Sequence, residues 1–186
     1  MTANLQPHTG NCRQELAGKY LTFAVQHESY GVDVLKVREI IRNAIITAVP
    51  QVPAYIRGVI NLRGKIIPVM DLRLRFGFSN VKGMEQTCIV VAQVTLPDGN
   101  AAPMGLVVDG VEEVINLAAT DIEDTPEFGG QICTNYILGI AKVKGAVKSL
   151  LDIDGVVGAD ALPNLKAPAA GAEQTLSILN STTLSQ

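Results

Sequence analysis

The chain carries one short unit twice. Under "YGVDVLKVREII" (30–41), the stretch "MGLVVDGVEEVI" (104–115) matches Gly31 with Gly105, Val34 with Val108, Val37 with Val111, Glu39 with Glu113 and Ile41 with Ile115, at an offset of 74. Further on, "YIRGVINLRGKIIPVMDLR" (55–73) and "YILGIAKVKGAVKSLLDID" (136–154) match Tyr55 with Tyr136, Ile56 with Ile137, Gly58 with Gly139, Gly64 with Gly145 and Asp71 with Asp152, at an offset of 81. The second copy therefore has a connector seven residues longer, and the polar stretch "NLAATDIEDTPEFGGQICTN" supplies it. Whatever one unit folds into, the molecule has to contain twice.

Within each unit the segments are short, rich in Val and Ile, and bounded by Gly, Pro, Asp and Asn, which is the punctuation of strands and turns. Hydrophobic residues make up 47% of the 186 residues and aromatics only 4%, so the interior is built from Val, Ile, Leu and Ala. "YLTFAVQ" and "TCIVVAQV" read as the opening strands of the two copies, and "HESYG" and "LPDGNAAPMG" as hairpin connections, with Asp98-Gly99 suited to positive backbone dihedrals. Pro68 lacks a ladder donor and predicts an edge strand or a bulge. "LRLRFGF" (72–78) reads as a helical turn and connector. About five short, curved strands per unit are best satisfied by a closed barrel, because closure removes unpaired edges. The expected fold is all-β: two barrels packed side by side, roughly 18–80 and 81–160, with short helical connectors. Residues 1–17 are expected to be disordered, and 161–186, rich in Pro, Ala, Ser and Thr, to form a flexible tail.

Composition narrows the function. The net charge is -3 with both signs interspersed, so no electropositive face for nucleic acid is implied. Cys12, Cys88 and Cys133 form no C-x-x-C pair, and Cys88 inside an apolar strand reads as a buried structural thiol. No signal peptide and no apolar run of ~18 residues is present, so the expectation is a soluble, cytoplasmic protein with no direct membrane insertion. The two histidines, His8 and His27, lack ordering partners, and no phosphate-binding, dinucleotide, zinc-protease or serine-elbow motif occurs. The acidic run "DIEDTPE" (121–127) lacks the alternating ligands of a calcium loop and reads as a solvated face. No catalytic residue, metal or cofactor is assigned, and a binding module is the expectation. The competing reading is an enzyme that uses these carboxylates with a divalent metal.

What remains is surface. "NLRGK" sets Asn61, Arg63 and Gly64 in a turn between two strands, with Gly64 free to take a positive φ and Arg63 projecting outward. Two readings fit Arg63: a solubilising turn residue, or a fork of donors for a partner's carboxylate. Copy two has Lys144 at this place and Lys142 opposite Asn61.

"YGVDVLKVREI", "YIRGVINLRGKIIPVMDLRLRFG" and "MGLVVDGVEEV", in this order, resemble the CheW family of bacterial chemotaxis coupling proteins over residues 18–160. The resemblance implies two intertwined SH3-like five-stranded barrels and a non-enzymatic adaptor between chemoreceptors and the histidine kinase CheA. By the family's pattern the receptor's cytoplasmic tip lies against an apolar groove between the barrels, and the SH3-like regulatory domain of CheA docks barrel to barrel. Carried over by motif, Arg63, Glu39, Val37 and Gly58 are partner-binding residues, and Glu127 and Phe128 match the family's "PEF" segment. On an extended strand Val37 and Glu39 would share a face. Gly58 serves a tight backbone turn or a direct contact, and Phe128 is either a loop anchor or an interface residue. The second-copy segment "KVKGAVKSLLDI" departs from the pattern in being rich in lysine.

Overall fold

The computed structural model describes residues 12–42, 44–78, 88–96, 99–125 and 136–161. Helix α1 (Cys12–Glu15) precedes strands β1 (Gly18–Val25), β2 (Glu28–Asp33), β3 (Val37–Arg42), β4 (Ile56–Leu62) and β5 (Lys65–Asp71), and helix α2 (Leu72–Arg75) closes the first copy. The second copy runs β6 (Cys88–Thr95), β7 (Ala101–Val108), β8 (Gly110–Leu117), β9 (Ile122–Glu123), β10 (Ile137–Val143), β11 (Ala146–Leu151) and α3 (Ile153–Ala161). The copies agree in detail. Asp71, the last residue of β5, and Asp152, the first after β11, accept the backbone N–H two residues on, from Arg73 and Asp154, which starts the helix that follows.

The strands form two SH3-like sheets, one ordered β8-β1-β2-β11-β10-β9 and the other β3-β6-β7-β5-β4. Each sheet draws strands from both copies, which corrects the expectation of sequential barrels at 18–80 and 81–160. The edge of β1 takes β8 and the edge of β6 takes β3, both antiparallel. In parallel pairing, β11 joins β2 and β5 joins β7, with Leu150 opposite Gly31 and Val69 opposite Gly105. Only the 3-10 turn Val34–Lys36 separates β2 in one sheet from β3 in the other, so the chain crosses over almost at once. We call the two units the six-stranded and the five-stranded barrel.

Three apolar clusters follow from this exchange. Tyr20, Ile115, Leu117, Ile122, Ala141 and Leu150 fill the six-stranded barrel. Ile60, Ile67, Val69, Ile89, Val91 and Val107 fill the five-stranded one. The largest cluster lies between them, where Leu21, Phe23, Val25 and Val32 meet Met70, Val90, Leu106 and Val108. Each such side chain contributes roughly 1.5–3 kcal/mol on burial, so the seam is a core and not a contact between independent domains.

A buried ion cluster pins the seam. Arg73 donates through Nε and Nη2 to both oxygens of Asp71, at 2.9 and 2.8 Å, and through Nη1 to Asp109 at 3.0 Å. Asp109 also accepts the backbone N–H of Gln26, in the β1–β2 turn of the other barrel. The hydrogen bonds that Arg73 donates to Asp71, against the pull of burial, raise the guanidinium pKa further above its ordinary value.

Three local expectations need correction. Residues 12–17 are not disordered: Arg13 pairs with Asp124, Leu16 packs on the six-stranded core, and Tyr20 donates to the Leu16 carbonyl. "HESYG" is mostly strand, because Gln26 adopts φ 57 and completes the turn before Glu28. Pro68 lies in an interior strand; its neighbour β7 begins pairing only at Val69, and the register shift falls in β4, between Ile56 and Gly58. The tail beyond Ala161 lies outside the described residues.

Two carboxylates join segments of the two copies. Burial opposes ionisation of Glu112, but hydrogen bonds from Lys148 and Ser29 outweigh it and hold its pKa below the usual range. Burial likewise opposes ionisation of Asp154, and Lys36 at 2.8 Å with the Thr95 N–H at 2.9 Å brings its pKa down. A carboxyl whose folded pKa is depressed adds stability above its unfolded pKa of about 4, and loses it as pH falls through the lower folded value. The urea midpoint is therefore expected to hold steady from about pH 8 to 5 and to fall below about pH 4. The Lys36→Met variant should show a shallower fall.

Candidate functional site

The sequence "NLRG" builds a two-residue hairpin between β4 and β5. Leu62 pairs with Lys65, and the two residues between them, Arg63 and Gly64, take φ 53 and 84. Both positive values define the turn type whose twist suits a hairpin. Gly64 adopts this conformation without strain, whereas a left-handed arginine costs about 1 kcal/mol. The Asn61 side chain compensates by accepting the Gly64 N–H at 2.9 Å. Lys144 and Gly145 repeat the geometry in the other barrel, with φ 51 and 80.

Arg63 donates from Nη2 to Glu39 Oε1 at 3.0 Å, a link between β4 and β3, the two ends of the five-stranded sheet. The Arg63 side chain stays 80% exposed, so most of its fork remains open to a partner. An ion pair this exposed adds at most about 1 kcal/mol to folding. Its place at the tip is therefore not explained by stability alone.

The other predicted residues separate. A register shift falls between Val37 and Glu39, so they do not continue one regular ladder. Val37 leans on the inter-barrel core, while Glu39 reaches Arg63. Gly58 is buried at φ 138, and a Cβ there would stand 2.0 Å from the Thr47 carbonyl oxygen, where Thr47 and Val59 exchange backbone hydrogen bonds. Its role is steric: it lets the 44–47 segment close against β4. Glu127 and Phe128 lie outside the described residues.

Around Arg63 the structure adds aliphatic groups that the sequence reading missed. Ile45 and Ile66 are 89% and 60% exposed, and Ile66 stands opposite Asn61 in the β4–β5 register. Ile41, Ala44, Ile45, Ile60 and Leu62 line a shallow hollow beside the tip. Exposed residues recur at matched places in the repeat, Ile66 with Val147 and Ile40 with Val114. That recurrence is the signal that could have found them, since solvation alone does not preserve large aliphatics at equivalent surface positions.

A second partly open surface follows the seam, where Tyr30, Phe76 and Tyr136 form a row with successive ring centroids 5.1 and 5.7 Å apart, backed by the fully buried Phe23 at 6.3 Å from Tyr30. Arg75 lies over the Tyr55 ring at 4.9 Å, and its Nε donates to the Val156 carbonyl. Rings of this kind, half-buried and held by their neighbours, present rigid contact area at little entropic cost.

In the acidic run, Asp121 accepts the Ala118 N–H, Glu123 pairs with Lys142 and Asp124 pairs with Arg13. Among the described residues no group of three or more His, Cys, Asp or Glu side chains is placed to hold a metal ion.

The chain as a whole is similar to known proteins. The model of the CheW-like domain matches residues 19–161. The chain is 34% identical over 142 residues to the chemotaxis protein CheW of Klebsiella aerogenes, covering 76% of this chain and 82% of that one. It is 31% identical over 153 residues to the chemotaxis protein CheW of Rhizobium meliloti, covering 82% and 93%. Among solved structures, the scaffolding protein TtCheW from Thermoanaerobacter tengcongensis superposes with a TM-score of 0.68 at 33% identity, covering 79% of this chain and 98% of that one. The chain belongs to the CheW-like domain family.

Proposed function

We propose that the chain is a non-enzymatic adaptor that joins the cytoplasmic tips of chemoreceptors to the histidine kinase CheA, at membrane-associated receptor arrays. The relatives named for chemotaxis, and a structural neighbour named as a scaffolding protein, support the reading. The observation that carries it is the hairpin tip, where Arg63, Glu39 and Asn61 stand beside Ile45 and Ile66 on a surface that folding does not require.

The assignment of partners follows the shape of each surface. The five-stranded barrel offers a charged fork beside exposed aliphatics, suited to barrel-to-barrel docking with the regulatory domain of CheA. The aromatic seam suits an amphipathic helical tip, whose apolar side would lie along Tyr30, Phe76 and Tyr136. Holding both partners raises the kinase's effective concentration at the receptor and fixes its orientation, so a small receptor change can bias kinase activity. No residue then needs a catalytic role. Calorimetric titration of the protein against an isolated CheA regulatory domain, and separately against a receptor tip, tests the reading: saturable one-to-one heats are expected from each, and no heat from either would end it.

A further inference from the structure

A duplicated chain has a choice that a single unit lacks. Strands β3 and β8 are equivalent, as are β5 and β11, so each pair of opening strands could close with strands of its own copy or with those of the other. The structure has the exchanged arrangement. We infer that Thr22, Ser29, Glu112 and Lys148 decide this choice.

Lys148 is the odd residue of the lysine-rich segment, because its side chain is only 8% exposed. It donates from Nζ to Glu112 Oε2 at 2.6 Å, and Ser29 Oγ donates to the other oxygen, Oε1, at 2.6 Å. Thr22, fully buried, donates to the Glu113 carbonyl at 3.0 Å. The set unites β1 and β2 of copy one with β8 and β11 of copy two.

The five-stranded barrel has the opposite chemistry at the same places. Ile67 stands where Lys148 does, Pro103 where Ser29 does and Arg38 where Glu112 does, by the offsets of 81 and 74. Tyr20 meets Ile115 as Ile89 meets Ile41, which makes Val91 the counterpart of Thr22 and Gln93 that of Ala24. Ile67 and Val91 belong to the apolar core, and Arg38 donates to Gln93.

Sequential closure would mix the two sets. Buried Lys148 and its partly exposed partner Glu112 would face Val91 and Pro103 and lose the Ser29 hydroxyl, while Ser29 and the buried Thr22 would face Arg38 and Ile67. Arg38 would meet Ala24 instead of Gln93. Buried polar groups without partners are costly, so polar-with-polar and apolar-with-apolar matching selects the exchanged fold.

Cross-linking reads the choice directly. Lys19 and Asn116 are exposed partners in the β1–β8 register, and sequential closure would bring Lys19 against Arg42 instead. In the full chain carrying Cys12→Ser and Cys133→Ser, the pair Lys19→Cys/Asn116→Cys reports exchange, and Lys19→Cys/Arg42→Cys reports sequential closure. After refolding from urea at high dilution, a short thiol cross-linker should trap only the first link. Adding Thr22→Val, Glu112→Arg and Lys148→Ile, the residues of the other barrel, should bring the second link to roughly a tenth or more of refolded monomer. If the triple variant gives no cooperative melt, Lys148→Met with Glu112→Gln takes its place with the same readout and threshold. A folded variant that still yields the first link alone would overturn the inference.

Discussion

Residues 1–80 and 81–186, expressed separately, are expected to be unfolded, and to recover the native far-ultraviolet spectrum only when mixed. Residues 1–80 keep β1 and β2 but lose β8 and β11, which flank them on either side, and they keep β3, β4 and β5 without the β6–β7 pair that joins β3 to β5. Neither half retains a filled core, because each of the three apolar clusters is assembled from both. The Asp71–Arg73 pair would lose Asp109 as well. A domain of this size has a net stability of only about 5–15 kcal/mol, so the whole of it should vanish on division. Circular dichroism with a urea titration decides the matter: a cooperative transition in either half alone would contradict the exchanged fold.

The second large effect is expected at Arg73. Replacing it with methionine leaves Asp71, fully buried, without its counter-ion. Removing one partner of a buried pair costs about 3–5 kcal/mol, because the remaining charge has neither water nor a partner. The double variant Asp71→Leu/Arg73→Met should regain most of this loss, since apolar groups of similar volume often replace a buried pair at little cost. It should still fall short by about 1 kcal/mol, because Asp71 also starts α2 by accepting the Arg73 N–H. Urea midpoints of the native chain, the single variant and the double variant measure the two losses, and a single variant within about 1 kcal/mol of the native chain would show that the cluster is not a lock.

The repeat made the strands legible because both copies obey the same local rules. Gly64 and Gly145 mark hairpins, Asp71 and Asp152 mark strand ends, and the apolar runs between them are short. For the same reason the repeat could not show the exchange, which only the family resemblance implied. When β3 and β8 have the same pattern, pattern alone cannot tell which of them β1 takes, and the discriminating residues are a few polar groups whose burial depends on the answer. Arg73 was hidden likewise: "LRLRFGF" reads as a helical turn and connector, and nothing in it shows that the β7–β8 connection delivers Asp109 to Arg73. Of the candidate site, Arg63 and Gly64 were visible as a turn, and Glu39 as a charge with no stated partner. Their meeting required barrel closure, which brings β3 and β4 together from opposite ends of the sheet. Gly58 carried a signal for backbone freedom but none for the Thr47 carbonyl that demands it. Ile45 and Ile66 were not singled out: Ile66 was signalled only by its match with Val147, and an aliphatic side chain such as Ile45 in a strand-rich segment does not show by itself which way it faces.

The central claim is that the hairpin tip of the five-stranded barrel is a partner surface, and its most direct test compares the native chain with Arg63→Glu. The pair with Glu39 is exposed, so losing it and facing Glu39 with a like charge should cost no more than about 1–2 kcal/mol, and the variant should still melt cooperatively. Binding to the CheA regulatory domain should weaken by about tenfold to a hundredfold, the loss expected when an interface anchor is reversed in charge. If the folded variant binds both the kinase domain and the receptor tip as tightly as the native chain, Arg63 is a solvated turn residue and this surface is not where the partners meet.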